Sequence, residues 1–168
     1  ADAYLGIPYA EPPTGERRWA PPVAKASLGS DTFEATRFGD PCIQPSGALK
    51  GYSGSEDCLT LNIYKPKEAG SNPLPVMVYI PGGGFLASQS PVELNGTALA
   101  NEGVIVVTTN YRLGPLGFLR YTDNNAAIEG NFGIQDQQQA MRWVKQNIAA
   151  FGGDPDQITL FGESAGAV

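Results

Sequence analysis

The chain has 168 residues, of which 42% are apolar and 17% are charged, a balance typical of a globular domain with an ordinary core. Its 17 acidic and 11 basic residues give a net charge of −6 without any basic cluster, which argues against nucleic acid or an anionic membrane surface as a partner. It has no histidine and only two cysteines, which excludes a histidine-based metal site and leaves too few thiols for structural zinc.

Runs of apolar residues predict four strands. Residues 1–41 are rich in proline and glycine and are expected to be irregular or to form an edge strand. Residues 59–64 alternate apolar and polar side chains, as a half-buried strand does. Three later runs are continuously apolar and rich in strand-forming residues, as in a parallel sheet that is buried on both faces; they span 76–80, 104–107 and 158–161.

One amphipathic helix is predicted between the last two strands. Met141, Val144 and Ile148 repeat at helical spacing, Ile134 extends the stripe upstream, and two glycines at 152–153 end it. Strand, helix and strand in this order form a βαβ unit, so the predicted fold class is α/β. No stretch of 18 apolar residues occurs, so no membrane-spanning segment is predicted.

Cys42 and Cys58 enclose 15 residues, and their spacing leaves two interpretations open. They are either inert core thiols, as in the cytosol, or one disulfide, as in an oxidising compartment. Asn95-Gly96-Thr97 is an acceptor sequence for N-glycosylation. A chain with this many Asn, Ser and Thr residues contains about one such sequence by chance, so it is weak evidence for secretion.

The segment Gly162-Glu163-Ser164-Ala165-Gly166 matches the pattern G-x-S-x-G. In this pattern a strand turns sharply into a helix, the serine stands at a strained apex, and side chains in place of the glycines would collide. The alternative is an ordinary glycine-rich turn. Because the serine follows a predicted buried strand and precedes small residues, Ser164 is the candidate nucleophile. Glu163 is either a surface carboxylate or a group that stabilises a nearby histidinium.

Three glycines, Gly82-Gly83-Gly84, and then Phe85 follow the strand at 76–80. Their bare N–H groups suit the oxyanion that develops in acyl transfer, and the N–H of Ala165 would add another donor. The alternatives are a flexible loop and a phosphate cradle. Neither G-x-G-x-x-G nor G-K-[ST] is present here, so nucleotide binding is the weaker hypothesis.

Four isolated charges lie in otherwise apolar neighbourhoods: Arg18, Glu56, Arg112 and Asp136. Buried charges are usually paired, but the sequence by itself does not pair these four.

Several segments together resemble the type-B carboxylesterase/lipase family, which includes cholinesterases and fungal lipases. The similar segments cover nearly the whole chain: 6–13, 56–63, 82–85, 110–118, 130–133 with 136–137, and 143–167. The resemblance implies an α/β-hydrolase fold and hydrolysis of carboxylic esters. It implies a small-molecule ester as substrate and neither a metal nor an organic cofactor.

The resemblance also implies roles for single residues and a location. These are the nucleophile Ser164, the oxyanion donors Gly83, Gly84 and Ala165, a disulfide between Cys42 and Cys58, and buried ion pairs Arg18–Glu56 and Arg112–Asp136. Relatives of this kind are often secreted, so an extracellular protein is expected.

The sequence departs from the family pattern in two ways. The family's histidine and acidic residue lie far downstream of the nucleophile, whereas this sequence stops four residues after Ser164. We therefore expect residues 1–168 to be the N-terminal portion of a single α/β-hydrolase domain whose remaining polypeptide is needed for activity; a complete small protein would leave an open sheet edge. Pro81 stands where relatives commonly have Tyr, Phe or His, which changes the entry to the glycine loop but keeps its donors.

Two other functions were weighed against a carboxylesterase. An interfacially activated lipase needs a long amphipathic lid, and the 15 residues between the cysteines, with three glycines and a proline, leave no room for such a helix. This favours soluble or short-chain esters. A non-catalytic, cholinesterase-like adhesion module commonly lacks the nucleophile, whereas Ser164 is retained here.

Overall fold

The structure is a computed structural model that describes residues 1–26, 32–46, 51–68, 70, 72–88, 94–123 and 127–168. The strands are β1 Asp2–Pro8, β2 Gln44–Pro45, β3 Tyr52–Ser53, β4 Thr60–Lys65, β5 Leu74–Ile80, β6 Ile105–Thr109, β7 Tyr121–Thr122, β8 Ala127–Ile128 and β9 Gly153–Gly162. The helices are α1 Thr97–Ala100, α2 Gly114–Phe118 and α3 Phe132–Asn147, with short 3₁₀ helices at Gly15–Arg17, Ile148–Phe151 and Ser164–Ala167.

A five-stranded sheet in the order β1-β4-β6-β5-β9 forms the centre of the fold. β1, β4 and β6 are antiparallel neighbours, whereas β6, β5 and β9 run parallel to one another. The predicted α/β class is confirmed, and the proline-rich N-terminal region supplies the edge strand β1.

The predicted βαβ unit runs from β6 through α3 to β9. Because β5 lies between these two strands and pairs with both, the connection passes over β5. The parallel strands therefore end at the same edge of the sheet, which brings the residues after β5, β6 and β9 together.

The buried face of α3 differs from the predicted stripe. Val144 and the following Ile148 are buried as expected, but Ala140 and Trp143 fill the positions facing the sheet while Met141 is only half-buried. Asp136 also lies on the buried face, where it pairs with Arg112 on the loop after β6. The spacing of apolar residues in the sequence cannot predict that a carboxylate is buried on this face.

No helix in the described part of the chain is both long enough and apolar enough to span a bilayer.

Candidate active site

Ser164 lies two residues after the end of β9, at the first residue of a short 3₁₀ helix. Its φ is +54°, a left-handed conformation that is uncommon for a residue with a side chain and that costs free energy unless the surroundings enforce it. The residue is exposed. The sharp strand-to-helix turn that the sequence predicts is therefore present, with the serine at its apex.

Close backbone packing explains both glycines that flank this serine. A Cβ atom on Gly162 would collide with the carbonyl oxygen of Gly166, and a Cβ on Gly166 would collide with the carbonyl oxygen of Ile80. Only residues without side chains let the short helix fold back onto the ends of β5 and β9. The turn is thus fixed by the strand ends beneath it.

The glycine loop after β5 lies against this serine turn. A Cβ on Gly82 would be 3.1 Å from the Cβ of Ser164 and 2.8 Å from Oε2 of Glu163. Gly83 and Gly84 follow with φ values of +119° and +61°, which glycine adopts without strain. The two G-rich segments singled out from the sequence therefore meet at one edge of the sheet.

Backbone donors are available at this edge. Among the described residues, none accepts a hydrogen bond from the N–H of Gly83 or Gly84, and both glycines are exposed. The N–H of Ala165 lies in the first turn of the 3₁₀ helix, where N–H groups lack partners within the helix. The arrangement offers several donors to a negative charge that develops beside Ser164.

Two contacts hold the two ends of the glycine loop. The buried hydroxyl of Tyr111 donates to the carbonyl oxygen of Pro81 at 2.9 Å, and burial raises the pKa of Tyr111 to about 12, so the donor keeps its proton at neutral pH. At the other end, the N–H of Gly114 donates to the carbonyl oxygen of Phe85 at 2.7 Å, and the Phe85 ring packs 5.0 Å from that of Phe118.

Glu163 is exposed beside the serine. Burial raises the pKa of Tyr79 in β5, and the negative charge of Glu163 raises it further. The carboxylate therefore acts electrostatically on the adjoining strand. Within the described residues, no group of three or more potential metal ligands occurs.

The disulfide implied by the resemblance is present: Cys42 and Cys58 are bonded, and both are buried. Half of the ion-pair prediction is also confirmed. Two nitrogens of Arg112 donate to the two oxygens of Asp136, Nε at 2.8 Å and Nη2 at 2.7 Å, and the side chains are 4% and 0% exposed. Burial raises the pKa of Asp136, and the hydrogen bonds from Arg112 oppose that rise.

The second predicted pair, Arg18–Glu56, is present as a contact, but the prediction that it is buried is wrong. Nε of Arg18 donates to Oε2 of Glu56 at 2.7 Å, but the side chains are 44% and 20% exposed. Arg18 follows a short surface helix and Glu56 belongs to the loop closed by the disulfide, so the two charges meet at the rim of a surface cleft. Water reaches both side chains there.

Asn95 is exposed just before α1, and its Oδ1 accepts a hydrogen bond from the N–H of Thr97 at 2.9 Å. The acceptor sequence for glycosylation is therefore at the surface, in a local turn.

Sequence reasoning missed two residues near the site, Gln44 and Tyr111. The only signal for Tyr111 is an aromatic residue with a polar tip directly after a buried strand. The side-chain oxygen of Gln44 accepts a hydrogen bond from the backbone N–H of Ser88. The sequence gives no signal for this contact, since Ser88 lies 44 residues away along the chain.

Comparison with known proteins places these features in context. A sequence model described as "Carboxylesterase family" matches residues 1–168. Para-nitrobenzyl esterase of Bacillus subtilis (strain 168) is 48% identical over 98% of this chain and 35% of its own length, and fumonisin B1 esterase of Sphingopyxis macrogoltabida is 45% identical over 99% and 32%. A solved thermophilic PNB esterase superposes with a TM-score of 0.88 at 46% identity, over 98% of this chain and 35% of that one. The chain thus spans about a third of the length of the curated relatives it matches.

Proposed function

The chain belongs to the carboxylesterase family, and on that premise we propose that it carries the nucleophile of a serine hydrolase that cleaves carboxylic esters. The observation that carries the proposal is the strained serine at +54° lying against a glycine loop in which the N–H groups of Gly83 and Gly84 have no acceptor among the described residues. A strained apex is retained only where the surroundings enforce it, and an acyl-transfer nucleophile needs its hydroxyl projected beside preorganised donors.

In the proposed mechanism, Oγ of Ser164 attacks the ester carbonyl and its proton passes to a histidine base. The carbonyl oxygen becomes an oxyanion that accepts hydrogen bonds from the N–H groups of Gly83, Gly84 and Ala165. When the tetrahedral intermediate collapses, the bond to the alcohol oxygen breaks and the histidine returns the proton to that oxygen. Water then hydrolyses the acyl-enzyme by the same route.

The histidine has to come from polypeptide other than these 168 residues, and the same source is proposed for its acidic partner. The chain contains no histidine, and its relatives are about three times as long. We therefore propose that residues 1–168 form the first portion of one α/β-hydrolase domain and that the rest of the polypeptide completes the triad.

Soluble or short-chain esters are the proposed substrates. Two relatives are named as esterases, para-nitrobenzyl esterase and fumonisin B1 esterase, and neither is named as a lipase. In the described part of the loop between the cysteines, four residues form the β2–β3 ladder and none is helical, which supports an open site over a lidded lipase. The retained, strained Ser164 supports an enzyme over an adhesion module.

Secretion and glycosylation at Asn95 are also proposed. The buried disulfide suits an oxidising compartment, and Asn95 is exposed. Intact-mass measurement of the natively produced protein without reductant, before and after enzymatic removal of N-linked glycans, tests both. Two alkylatable thiols in the native protein would contradict the proposed compartment.

The catalytic role of Ser164 is tested on the protein expressed from its complete gene. We expect hydrolysis of p-nitrophenyl acetate and covalent labelling by a fluorophosphonate probe, and we expect Ser164→Ala to lose the label and at least about 10³-fold in kcat. Ser53→Ala, at an exposed serine in β3, is the matched control and should behave like wild type.

The isolated 168 residues should be inactive, because no histidine is present to accept the proton. Unchanged turnover by Ser164→Ala would refute the assignment.

A further inference from the structure

The glycine loop has a third support, on its far side, that comes from the disulfide loop. Oε1 of Gln44 accepts a hydrogen bond from the backbone N–H of Ser88 at 2.8 Å. Nε2 of the same side chain donates to the carbonyl oxygen of Cys42 at 3.3 Å. Gln44 therefore joins the backbone at the disulfide to the segment that follows the glycine loop.

The planarity of the peptide group links the segment after the glycine loop to the oxyanion donors. The N–H of Gly84 belongs to the same planar peptide unit as the carbonyl of Gly83. That carbonyl accepts hydrogen bonds from the N–H groups of Leu86 at 3.1 Å and Ala87 at 3.0 Å. Whatever fixes Leu86 and Ala87 thus fixes the direction in which the Gly84 N–H points.

The next peptide unit along the chain links this turn to Gln44. The carbonyl of Ala87 and the N–H of Ser88 share one plane, and Gln44 accepts from that N–H. The oxygen of the Ala87 carbonyl packs so closely on Gly83 that a Cβ on Gly83 would collide with it. Movement of the Ala87–Ser88 peptide unit would therefore displace Gly83 directly.

A small cleft shows that these groups form one region. Cys42, Gln44, Ser88 and Tyr111 line one shallow cleft. Tyr111 donates to the carbonyl oxygen of Pro81, before the glycines. Gln44 accepts from the N–H of Ser88, after them. The loop is supported from both sides of the same cleft.

From these contacts we propose that Gln44 is a positioning residue for the oxyanion donors, through which the disulfide loop acts on catalysis. This inference rests on the proposed ester hydrolysis. It assigns no contact between Gln44 and the substrate. Loss of its acceptor removes one hydrogen bond from the Ala87–Ser88 peptide unit and loosens it. The Gly84 N–H then turns away from the oxyanion, which raises the barrier of the chemical step while leaving ester binding unaffected.

The test compares four forms of the protein expressed from its complete gene: wild type, Gln44→Met, Gln44→Glu and Gln138→Met. Met has nearly the same length as Gln without the amide oxygen, Glu keeps an acceptor oxygen for the Ser88 N–H, and Gln138 is an exposed residue of α3. The readouts are kcat and KM for p-nitrophenyl acetate and Ki for a trifluoromethyl ketone, whose hemiketal oxygen occupies the oxyanion position.

For Gln44→Met we expect kcat to fall about tenfold and Ki for the ketone to rise by a similar factor, with KM within twofold of wild type. Gln44→Glu should recover most of the loss, and Gln138→Met should match wild type. A purely structural role would lower the melting temperature without this joint change in kcat and Ki.

If kcat and Ki are unchanged in Gln44→Met, or if only KM rises, the inference is overturned. If Gln44→Met does not fold, Gln44→Ser is measured by the same criteria, since its short side chain cannot reach the Ser88 N–H. A wild-type protein that neither hydrolyses the ester nor reacts with a fluorophosphonate refutes the proposed function itself. An active wild type with an unaffected Gln44 variant refutes only the positioning role.

Discussion

Arg112 and Arg18 each hold a carboxylate through two guanidinium nitrogens, but the first pair lies inside the protein and the second at its surface. Arg112 and Asp136 are 4% and 0% exposed, whereas Arg18 and Glu56 are 44% and 20% exposed. Arg112 also donates to the carbonyl oxygen of Ala20 at 2.9 Å. The guanidinium bonds within the two pairs are alike in number and similar in length, and Arg112 adds a third bond to Asp136 through its backbone N–H at 3.0 Å. The larger difference lies in the surroundings.

The difference teaches that hydrogen-bond geometry alone does not say what an ion pair does for a fold. At the surface, water and salt screen the charges and compete for each donor. In the interior, each charge depends on its partner, because removal of one leaves the other buried and uncompensated. Arg112–Asp136 therefore couples three segments, the loop after β6, helix α3 and the N-terminal region, whereas Arg18–Glu56 fastens one surface loop to another.

Removing the buried carboxylate should have the largest effect. We expect Asp136→Asn to lower the free energy of unfolding by about 3–5 kcal/mol, since it leaves the Arg112 guanidinium without its counter-charge in the interior. Urea denaturation followed by tryptophan fluorescence measures this. A loss no greater than that of Glu56→Gln would break the comparison between the two pairs.

Alkaline pH should destabilise the protein through Tyr111, the buried residue that precedes Arg112 in the sequence. The pKa of Tyr111 is about 12 in the folded protein, compared with about 10 in an unfolded chain. Below pH 10 both states keep the proton. Between pH 10 and 12 only the folded state keeps it, so stability falls by about 2–3 kcal/mol as the pH rises through that window.

Tyr111→Phe should remove the share of the alkaline loss that Tyr111 contributes, which urea denaturation at pH 8 and at pH 11 would show. Burial also raises the pKa of Tyr9, so some loss should persist. Phe151→Leu, which removes no titrating group, serves as the control and should lower stability equally at both values. An unchanged alkaline loss in Tyr111→Phe would show that Tyr111 titrates as an exposed phenol does.

Neutralising the surface carboxylate should have the smallest effect. Glu56→Gln keeps an oxygen that accepts from Arg18 and leaves no buried charge, so we expect a change in the urea midpoint close to the reproducibility of the measurement. That change should vanish in 1 M NaCl, because salt screens exposed charges. A large loss of stability that does not depend on salt would contradict this expectation. It would show that Glu56 is shielded from water in solution, as Asp136 is.

Much of the fold and part of the site could be predicted from the sequence, because the relevant signals are local. The runs at 76–80 and 158–161 became β5 and β9, and the glycines around Ser164 are demanded by contacts within the turn and with the adjoining strand end. The predicted burial of 158–161 on both faces is wrong, because β9 lies at the edge of the sheet and Leu160 is exposed. The burial of Arg18 could not be predicted, since it depends on how many neighbouring segments pack over the charge, and a motif does not contain that information.

The support from Gln44 lay beyond sequence reasoning for a related reason. A glutamine two residues after a cysteine has no periodicity and no turn preference that marks it. Its partner is a backbone N–H, which every residue except proline possesses, so no side-chain pattern at position 88 reveals the contact. Only the assembled loops show it.

The strand order has a consequence for folding during synthesis on the ribosome. β5 lies between β6 and β9, and Leu74 of β5 pairs with Gly153 of β9, 79 positions further along. Translation at about 5–20 residues per second needs roughly 4–16 s to make that stretch. During this interval one edge of β5, an apolar strand, has no native partner, and an open edge invites pairing with other chains. For several seconds the nascent chain is therefore at risk of aggregation through β5. We expect β5 to be a segment that a chaperone binds during synthesis.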